Sequence, residues 1–142
     1  MLQITKIFHF ETAHAIHGYE GPCKHIHGHS YELHVTVSCN NDDNEYIPAP
    51  GFILDFKELK KVVRTAVIEN FDHKLVLSKA FLEINPFLHT QANLVEWQME
   101  PTAENLLIFI RRALENKFTQ DFKLVALKLF ETKDSYAEWI NF

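Results

Sequence analysis

Four stretches of this chain alternate apolar and polar residues, a pattern typical of β-strands. Successive side chains of a strand point to opposite faces, so an apolar residue at every second position predicts one face packed in a core. The stretches are residues 2–14, 30–38, 125–131 and 136–140. Each is predicted to be a strand, and the first two are expected to be antiparallel neighbours joined by a loop.

Two other stretches repeat apolar residues at helical spacing. Residues 56–70 form one of them, and Asp55 with Glu58 three residues later predicts its start, as in a capping box. Pro101 and Thr102 open the second helix, and a buried stripe of apolar residues follows them. The predicted order of elements is strand, strand, helix, helix, strand, strand.

This order predicts an α+β fold, with a four-stranded antiparallel sheet and both helices on one of its faces. The 142 residues suffice for a single domain with a core, covering residues 1–142. Residues 40–44, which are rich in Asn and Asp, predict a polar turn between the second strand and the first helix.

Residues 74–100 have the weakest pattern. Residues 75–77 are apolar, Ser78 can start a short helix, and the Asn-Pro pair at residues 85–86 would end it. Apolar residues alternate again over residues 95–99, which indicates an extended segment leading to the second helix. We assign no function to this region.

Composition narrows the class of protein. Hydrophobic residues make up 46% of the chain and charged residues 23%, which is typical of soluble globular proteins. A net charge of −5 without a basic patch argues against nucleic-acid binding, and no apolar run reaches membrane-spanning length. The N-terminus lacks a signal-peptide pattern, and the two cysteines have different surroundings. We therefore expect a cytoplasmic protein without disulfides.

Histidines are concentrated near the N-terminus, where six of the nine fall in the first 29 residues. His27 and His29 lie two positions apart at the start of a predicted strand, so they point to one face. His14 ends the preceding strand, and the loop between them can bring it close. Three neutral imidazoles with an open fourth position are a catalytic zinc arrangement. With Cys23 as the fourth ligand, the site would instead be closed and structural.

Three further features have both an ordinary and a chemical interpretation. Asp72 and His73 end a helix, but an Asp that orients a His beside a thiol is a recurring proton-transfer arrangement. Glu131 continues the apolar face of its strand, so it either reaches water or accepts two N–H groups of a flat heterocycle. Thr102 is expected to cap its helix, whose exposed amides could also receive a substrate oxygen.

Six motifs in order together resemble the 6-pyruvoyl-tetrahydropterin synthase / 6-carboxy-tetrahydropterin synthase family. They run from residue 10 to residue 132 and so cover nearly the whole chain. The motifs are Phe10-Glu11-Thr12-Ala13-His14, Cys23-x-x-x-His27-Gly28-His29, Gly51-Phe52-Ile53-Leu54-Asp55-Phe56, Phe71-Asp72-His73-Lys74-Leu75, Pro101-Thr102-x-Glu104-Asn105 and Phe130-Glu131-Thr132.

The resemblance implies the tunnelling fold (T-fold), in which the sheets of several subunits join into an oligomeric barrel, and it implies a homo-oligomer, in this case a hexamer. His14, His27 and His29 would bind the catalytic Zn²⁺. Because the active sites of the family lie between subunits, residues that are far apart in one chain can meet there. The otherwise open sheet edges would also be covered.

The resemblance also implies roles around the metal. Cys23 would be the general base, and Asp72 with His73 would complete its proton relay, across a subunit interface. Glu131 would anchor the pterin ring of a small-molecule substrate. The same pocket would be lined by Thr102 and Glu104.

The implied reaction converts 7,8-dihydroneopterin triphosphate to 6-carboxy-5,6,7,8-tetrahydropterin with release of triphosphate and acetaldehyde, on the way to queuosine and other 7-deazapurines. The alternative branch stops at 6-pyruvoyl-tetrahydropterin, and a third branch has Glu in place of Cys23. Outside the family, a non-enzymatic zinc-binding protein and a zinc hydrolase remain as hypotheses.

The chain departs from the family pattern in two places. Thr12 replaces a small apolar residue, and the segment of residues 78–100, which contains His89, is longer than in compact members.

Overall fold

Six strands form a single sheet in the computed structural model, which describes residues 1–40 and 44–142. Their order across the sheet is β4-β3-β1-β2-β5-β6. The strands are β1 (Gln3–His14), β2 (His27–Cys39), β3 (Lys74–Ser78), β4 (Leu94–Trp97), β5 (Phe122–Thr132) and β6 (Ser135–Ile140). The polar turn predicted at residues 40–44 includes residues 41–43, which lie outside the described residues.

The sheet is mixed, and this corrects the predicted four-stranded antiparallel sheet. All four predicted strands are present, and they pair antiparallel as β1 with β2, β2 with β5, and β5 with β6. The two further strands run parallel, β3 beside β1 and β4 beside β3. Four successive residues of β3, from Leu75 to Ser78, are buried, so this strand lacks the alternation by which the other strands were predicted.

Both predicted helices are confirmed, with their caps. Helix α1 (Phe56–Val63) continues through a π turn at Arg64–Ile68 into the short helix α2 (Glu69–Phe71). Asp55 caps it by accepting a hydrogen bond from the backbone N–H of Lys57 at 2.8 Å. The last long helix, which extends over Ala103–Leu114, has Thr102 as its N-cap. The two caps fix where each helix begins beside the sheet.

The ambiguous region 74–100 folds into four short elements. After β3, Ser78 caps helix α3 (Lys79–Ile84), with its hydroxyl 3.0 Å from the backbone nitrogen of Phe81. A 3₁₀ turn at Pro86–Thr90 then leads to β4. With α3 in place, the helix over Ala103–Leu114 is α4. A small apolar cluster holds this region together, formed by Ala15, Leu75, Leu77, Phe81, Leu82 and Leu88.

The main core lies between one face of the sheet and the helices α1, α2 and α4. Phe10 of β1 stacks on Tyr31 of β2 with ring centroids 5.1 Å apart, and on Phe71 at 5.9 Å. These rings lie directly beneath the end of the sheet where His14 and His27 are paired. The opposite face of the sheet leaves Ile7 exposed. Among the helices described, none is long and apolar enough to cross a bilayer.

Candidate active site

Three histidine rings converge at the end of the β1–β2 pair. The register places His14 opposite His27 and Thr12 opposite His29, so the three rings share the core-facing side of the sheet. The Nε2 atoms of His14 and His27 lie 3.0 Å apart. The ring centroid of His29 is 5.1 Å from that of His14 and 4.8 Å from that of His27. The strand pairing therefore assembles a compact group of imidazoles.

A carboxylate completes this group. Glu131, near the end of β5, places Oε1 3.0 Å from Nε2 of His29. One ligand atom from each of His14, His27, His29 and Glu131 lies within 4.8 Å of the others. His29 Nε2 is buried, yet it has no hydrogen-bond partner, because its approach to Glu131 does not meet hydrogen-bond geometry. An unpartnered buried nitrogen in such a donor set fits a metal ion.

Backbone carbonyls orient two of the rings from behind. His14 Nδ1 lies 2.6 Å from the carbonyl oxygen of Pro101, and His27 Nδ1 lies 2.7 Å from that of His25. A carbonyl oxygen can only accept, so each Nδ1 carries the proton and each Nε2 keeps its lone pair. This is the outer-shell arrangement that directs a histidine toward a metal. The hydroxyl of Tyr31 lies 3.4 Å from His14 Nδ1.

The electrostatics of the group favour neutral imidazoles. Burial lowers the pKa of His14, and the neighbouring His27 lowers it further, against a raising effect of the Pro101 carbonyl. Burial is also the largest cause that lowers the pKa of His29, while Glu131 acts in the raising direction. Neutral imidazole is the form that binds metals, so the site is prepared for a cation near neutral pH.

A cavity of about 320 Å³ adjoins His14 and brings several predicted site residues together. Cys23 lies on its wall, in a 3₁₀ turn at Pro22–Lys24. The N–H of Ile16, two residues after the end of β1, donates a 2.8 Å hydrogen bond to the Cys23 carbonyl. Among the described residues, Cys23 is not part of the four-residue ligand group. The cavity is lined by His14, Ile16, Tyr19, Cys23, Thr102, Ala103, Glu104 and Glu131.

Asp72 and His73 lie elsewhere in the chain. The Asp72 carboxylate is 3.0 Å from His73 Nδ1, and the His73 side chain is 80% exposed. Backbone hydrogen bonds with Glu11 hold the pair: His73 N–H donates to the Glu11 carbonyl, and Glu11 N–H donates to the Asp72 carboxylate. His73 lines a separate cavity of about 360 Å³. A single chain therefore does not bring this pair to the cavity of Cys23.

Comparison with known proteins identifies the family. The family model described as 6-pyruvoyl tetrahydropterin synthase matches residues 3–141. This chain belongs to that family. A 6-carboxy-5,6,7,8-tetrahydropterin synthase of Rickettsia bellii (strain RML369-C) is 32% identical over 142 residues, covering 97% of this chain and 99% of the relative.

Solved structures share the fold of this 6-pyruvoyl tetrahydropterin synthase family member. An uncharacterized protein of Wolinella succinogenes aligns with a TM-score of 0.76 at 18% identity, covering 99% of this chain and 98% of the other. The 6-pyruvoyl tetrahydropterin synthase of Caenorhabditis elegans aligns with a TM-score of 0.68 at 20% identity, covering 99% and 95%. These likenesses confirm the T-fold for the single chain, and the family membership makes the chain an enzyme.

Several groups of the site in this family member were not predicted. Tyr31 continues the alternation of His27 and His29 along β2, so its position on the same face could have been found from the sequence. The sequence does not indicate that the carbonyls of His25 and Pro101 contact the rings, because every residue has a backbone carbonyl. The closeness of Glu131 to His29 also depends on the pairing of β2 with β5.

Proposed function

We propose that this enzyme is a zinc-dependent lyase that converts 7,8-dihydroneopterin triphosphate to 6-carboxy-5,6,7,8-tetrahydropterin, a step toward queuosine. The observation that carries the proposal is the convergence of His14, His27 and His29 beside a cavity that also holds Cys23 and Glu131. The product named for the Rickettsia bellii relative supports this branch of the family.

The histidine group suits Zn²⁺ by its chemistry. His14 and His27 present Nε2 lone pairs held by carbonyl hydrogen bonds, and His29 adds a buried nitrogen without a hydrogen-bond partner. Three imidazoles are the protein ligands of known catalytic zinc sites. Bound there, Zn²⁺ would act as a Lewis acid on the side-chain oxygens of the substrate.

The cavity suits a pterin ring. Its volume of about 320 Å³ lies at the lower end of the range of small-molecule pockets. The carboxylate of Glu131 can accept two N–H groups from the edge of the pterin, while Thr102 and Glu104 line the same wall. The substrate side chain would then point toward the histidines, which places its C–H bonds near Cys23. The thiolate of Cys23 would remove a proton there.

A second copy of the chain would complete the site. Asp72 and His73 are the remaining residues of the proposed relay, and in their own chain neither lines the cavity of Cys23. The strands β4 and β6 form the two edges of the sheet, and Tyr136 and Ile140 are exposed near one edge. Open edges and exposed apolar residues are typical of surfaces covered by a partner. We therefore propose a homo-oligomer, a hexamer in this family, with the relay shared between subunits.

A product assay tests the proposal. Zinc-loaded protein incubated with 7,8-dihydroneopterin triphosphate is expected to release acetaldehyde and 6-carboxy-5,6,7,8-tetrahydropterin, both detectable by chromatography. The variant His27→Ala should lose zinc and turnover together, whereas His89→Ala, at an exposed position outside the site, should keep both. A 6-pyruvoyl product without acetaldehyde would assign the enzyme to the other branch. Turnover by His27→Ala without bound metal would remove zinc from the mechanism.

A further inference from the structure

We infer that Glu131 is a fourth ligand of the metal while no pterin is bound, so that three imidazoles and one carboxylate close the resting site. The inference rests on the proposed function only for the presence of a metal and a pterin. Among the described residues, the ligand group consists of the three histidines and this carboxylate. The thiol of Cys23 is not part of that group.

Strand pairing brings the segment that carries the carboxylate close to His29. Leu33 of β2 pairs with Leu129 of β5, and both are fully buried on the core-facing side. The pairing of β2 with β5 ends at Glu32 and Phe130, and the pairing of β5 with β6 shifts register between Phe130 and Thr132, so Glu131 lies at an irregularity just past the β2–β5 pairing. His29 shares the face of Leu33, and Oε1 of Glu131 approaches its Nε2 to 3.0 Å. The side chains of Glu131 and His29 are therefore neighbours at the end of this strand pairing, and both residues belong to strands rather than to loops.

The distances suit ligands around one cation. In a tetrahedral zinc site with bonds of about 2.0–2.1 Å, two ligand atoms lie about 3.3 Å apart. The His14–His27 separation and the His29–Glu131 separation are both 3.0 Å, close to that value. All ligand-atom separations in the group are within 4.8 Å.

A simple hydrogen bond explains the contact between His29 and Glu131 less well. Nε2 of His29 is buried and lacks hydrogen-bond geometry to Glu131, although the two atoms are only 3.0 Å apart. With the proton on Nδ1, as in His14 and His27, Nε2 of His29 would present a lone pair that repels the carboxylate oxygen at this distance, and a shared cation would turn that repulsion into attraction.

The consequence concerns how the site opens. Pterin N–H groups and the metal compete for the same carboxylate, so a bound pterin ring would withdraw Glu131 and leave a coordination position for the substrate side chain. Binding of the pterin ring by Glu131 would thereby open the metal to the side chain at the other end of the substrate. Other small oxygen ligands would be excluded from the resting site.

Metal affinity tests the assignment without any turnover. The metal-free protein is titrated with Zn²⁺ against a chromophoric chelator, and with Co²⁺ while the visible d–d absorption is recorded. Glu131→Gln is expected to weaken Zn²⁺ binding by about tenfold or more and to change the Co²⁺ band. Glu104→Gln is the matched control, because it removes a carboxylate from the same cavity that is outside the ligand group. It should bind within about twofold of the unsubstituted protein.

Two further measurements keep the result decisive. If Glu131→Gln does not fold, Glu131→Asp retains a carboxylate and should give a smaller loss of affinity with a Co²⁺ band like that of the unsubstituted protein. Affinity and spectrum unchanged in folded Glu131→Gln would overturn the assignment. Addition of pterin itself should shift the Co²⁺ band of the unsubstituted protein toward that of Glu131→Gln. A weakened Glu131→Gln without this pterin shift would uphold the ligand and count against the pterin-anchoring part of the proposed function.

Discussion

At the scale of single residues, the role of Cys23 distinguishes a catalytic metal site from a structural one. Its thiol shares a cavity with His14 and Glu131 but is not in the ligand group of the described residues. A thiol that only accepts a proton can be removed without loss of the metal, whereas a thiolate ligand cannot.

The variant Cys23→Ala is therefore expected to keep its zinc and to lose turnover by about 10²-fold or more, as is typical when a general base is removed. Zinc content is measured by atomic absorption and turnover by product formation. Cys39→Ala serves as the control, because Cys39 ends β2 at the far end from the histidines. Loss of zinc from Cys23→Ala would favour the closed structural site with the thiolate as its fourth ligand.

The buried histidines also predict how stability depends on pH in the metal-free protein. The pKa values of His14 and His29 are lowered from the ordinary value of 6.5, so the unfolded chain binds more protons than the folded chain. Their contribution to the free energy of unfolding is complete above about pH 6.5 and is lost as the pH falls through the lowered values. The stability should therefore decrease on acidification.

Urea unfolding in the presence of a chelator, at about pH 5 and about pH 8, measures this change. In His14→Gln the difference between the two conditions should be smaller, because one titrating group is gone. His89→Gln, which alters an exposed ring, should keep the full difference. Equal stability of the unsubstituted protein at both pH values would contradict the prediction.

At the scale of elements, β1 links the metal group to the turn that carries Asp72. The hydroxyl of Thr12, a residue that is 3% exposed, donates to the carbonyl oxygen of Phe71 at 2.7 Å. Thr12 faces the core on the same side as His14, and Phe71 is the last residue of α2. The family pattern has a small apolar residue at this position, and the hydrogen bond gives Thr12 a role there.

Thr12→Val keeps the shape of the side chain and removes its donor, so the Phe71 carbonyl loses that partner. We expect the free energy of unfolding to fall by about 1–2 kcal/mol, measured by urea denaturation. Thr12→Ser keeps the hydroxyl and should lose less, mainly through the missing methyl group. If Thr12→Val is as stable as the unsubstituted protein, the hydrogen bond does not stabilise the junction of β1 and α2.

At the scale of the whole molecule, the separation of Cys23 from His73 predicts that subunits can complement one another. Cys23→Ala and His73→Ala should each be inactive alone. In a mixed oligomer, a Cys23 from one subunit can meet a His73 from another, so about a quarter of the sites should be intact after random assembly.

Co-expression of the two variants with different tags, followed by purification on both tags, provides the mixed oligomer for a product assay. Cys23→Ala mixed with the double variant Cys23→Ala/His73→Ala is the control, since neither subunit supplies the thiol. Verified mixed oligomers without activity would show that the relay does not cross a subunit interface.

The structural features that could be predicted from the sequence are those encoded by residues close together along the chain. The caps at Asp55, Ser78 and Thr102 were predicted because a cap involves residues two or three positions apart. Strands β3 and β4 were missing from the predicted sheet because one is buried without alternation and the other has four residues. Their places depend on pairing with distant β1.

The sequence by itself determined the family motifs, the four alternating strands, the long helices, and the shared face of His27 and His29, since each follows from neighbours along the chain. Only the tertiary structure decided that Glu131 lies 3.0 Å from His29 and that Asp72 and His73 lie away from Cys23 in one chain. The physical reason is that strand register and loop paths bring residues together across long separations, and no local periodicity encodes those distances.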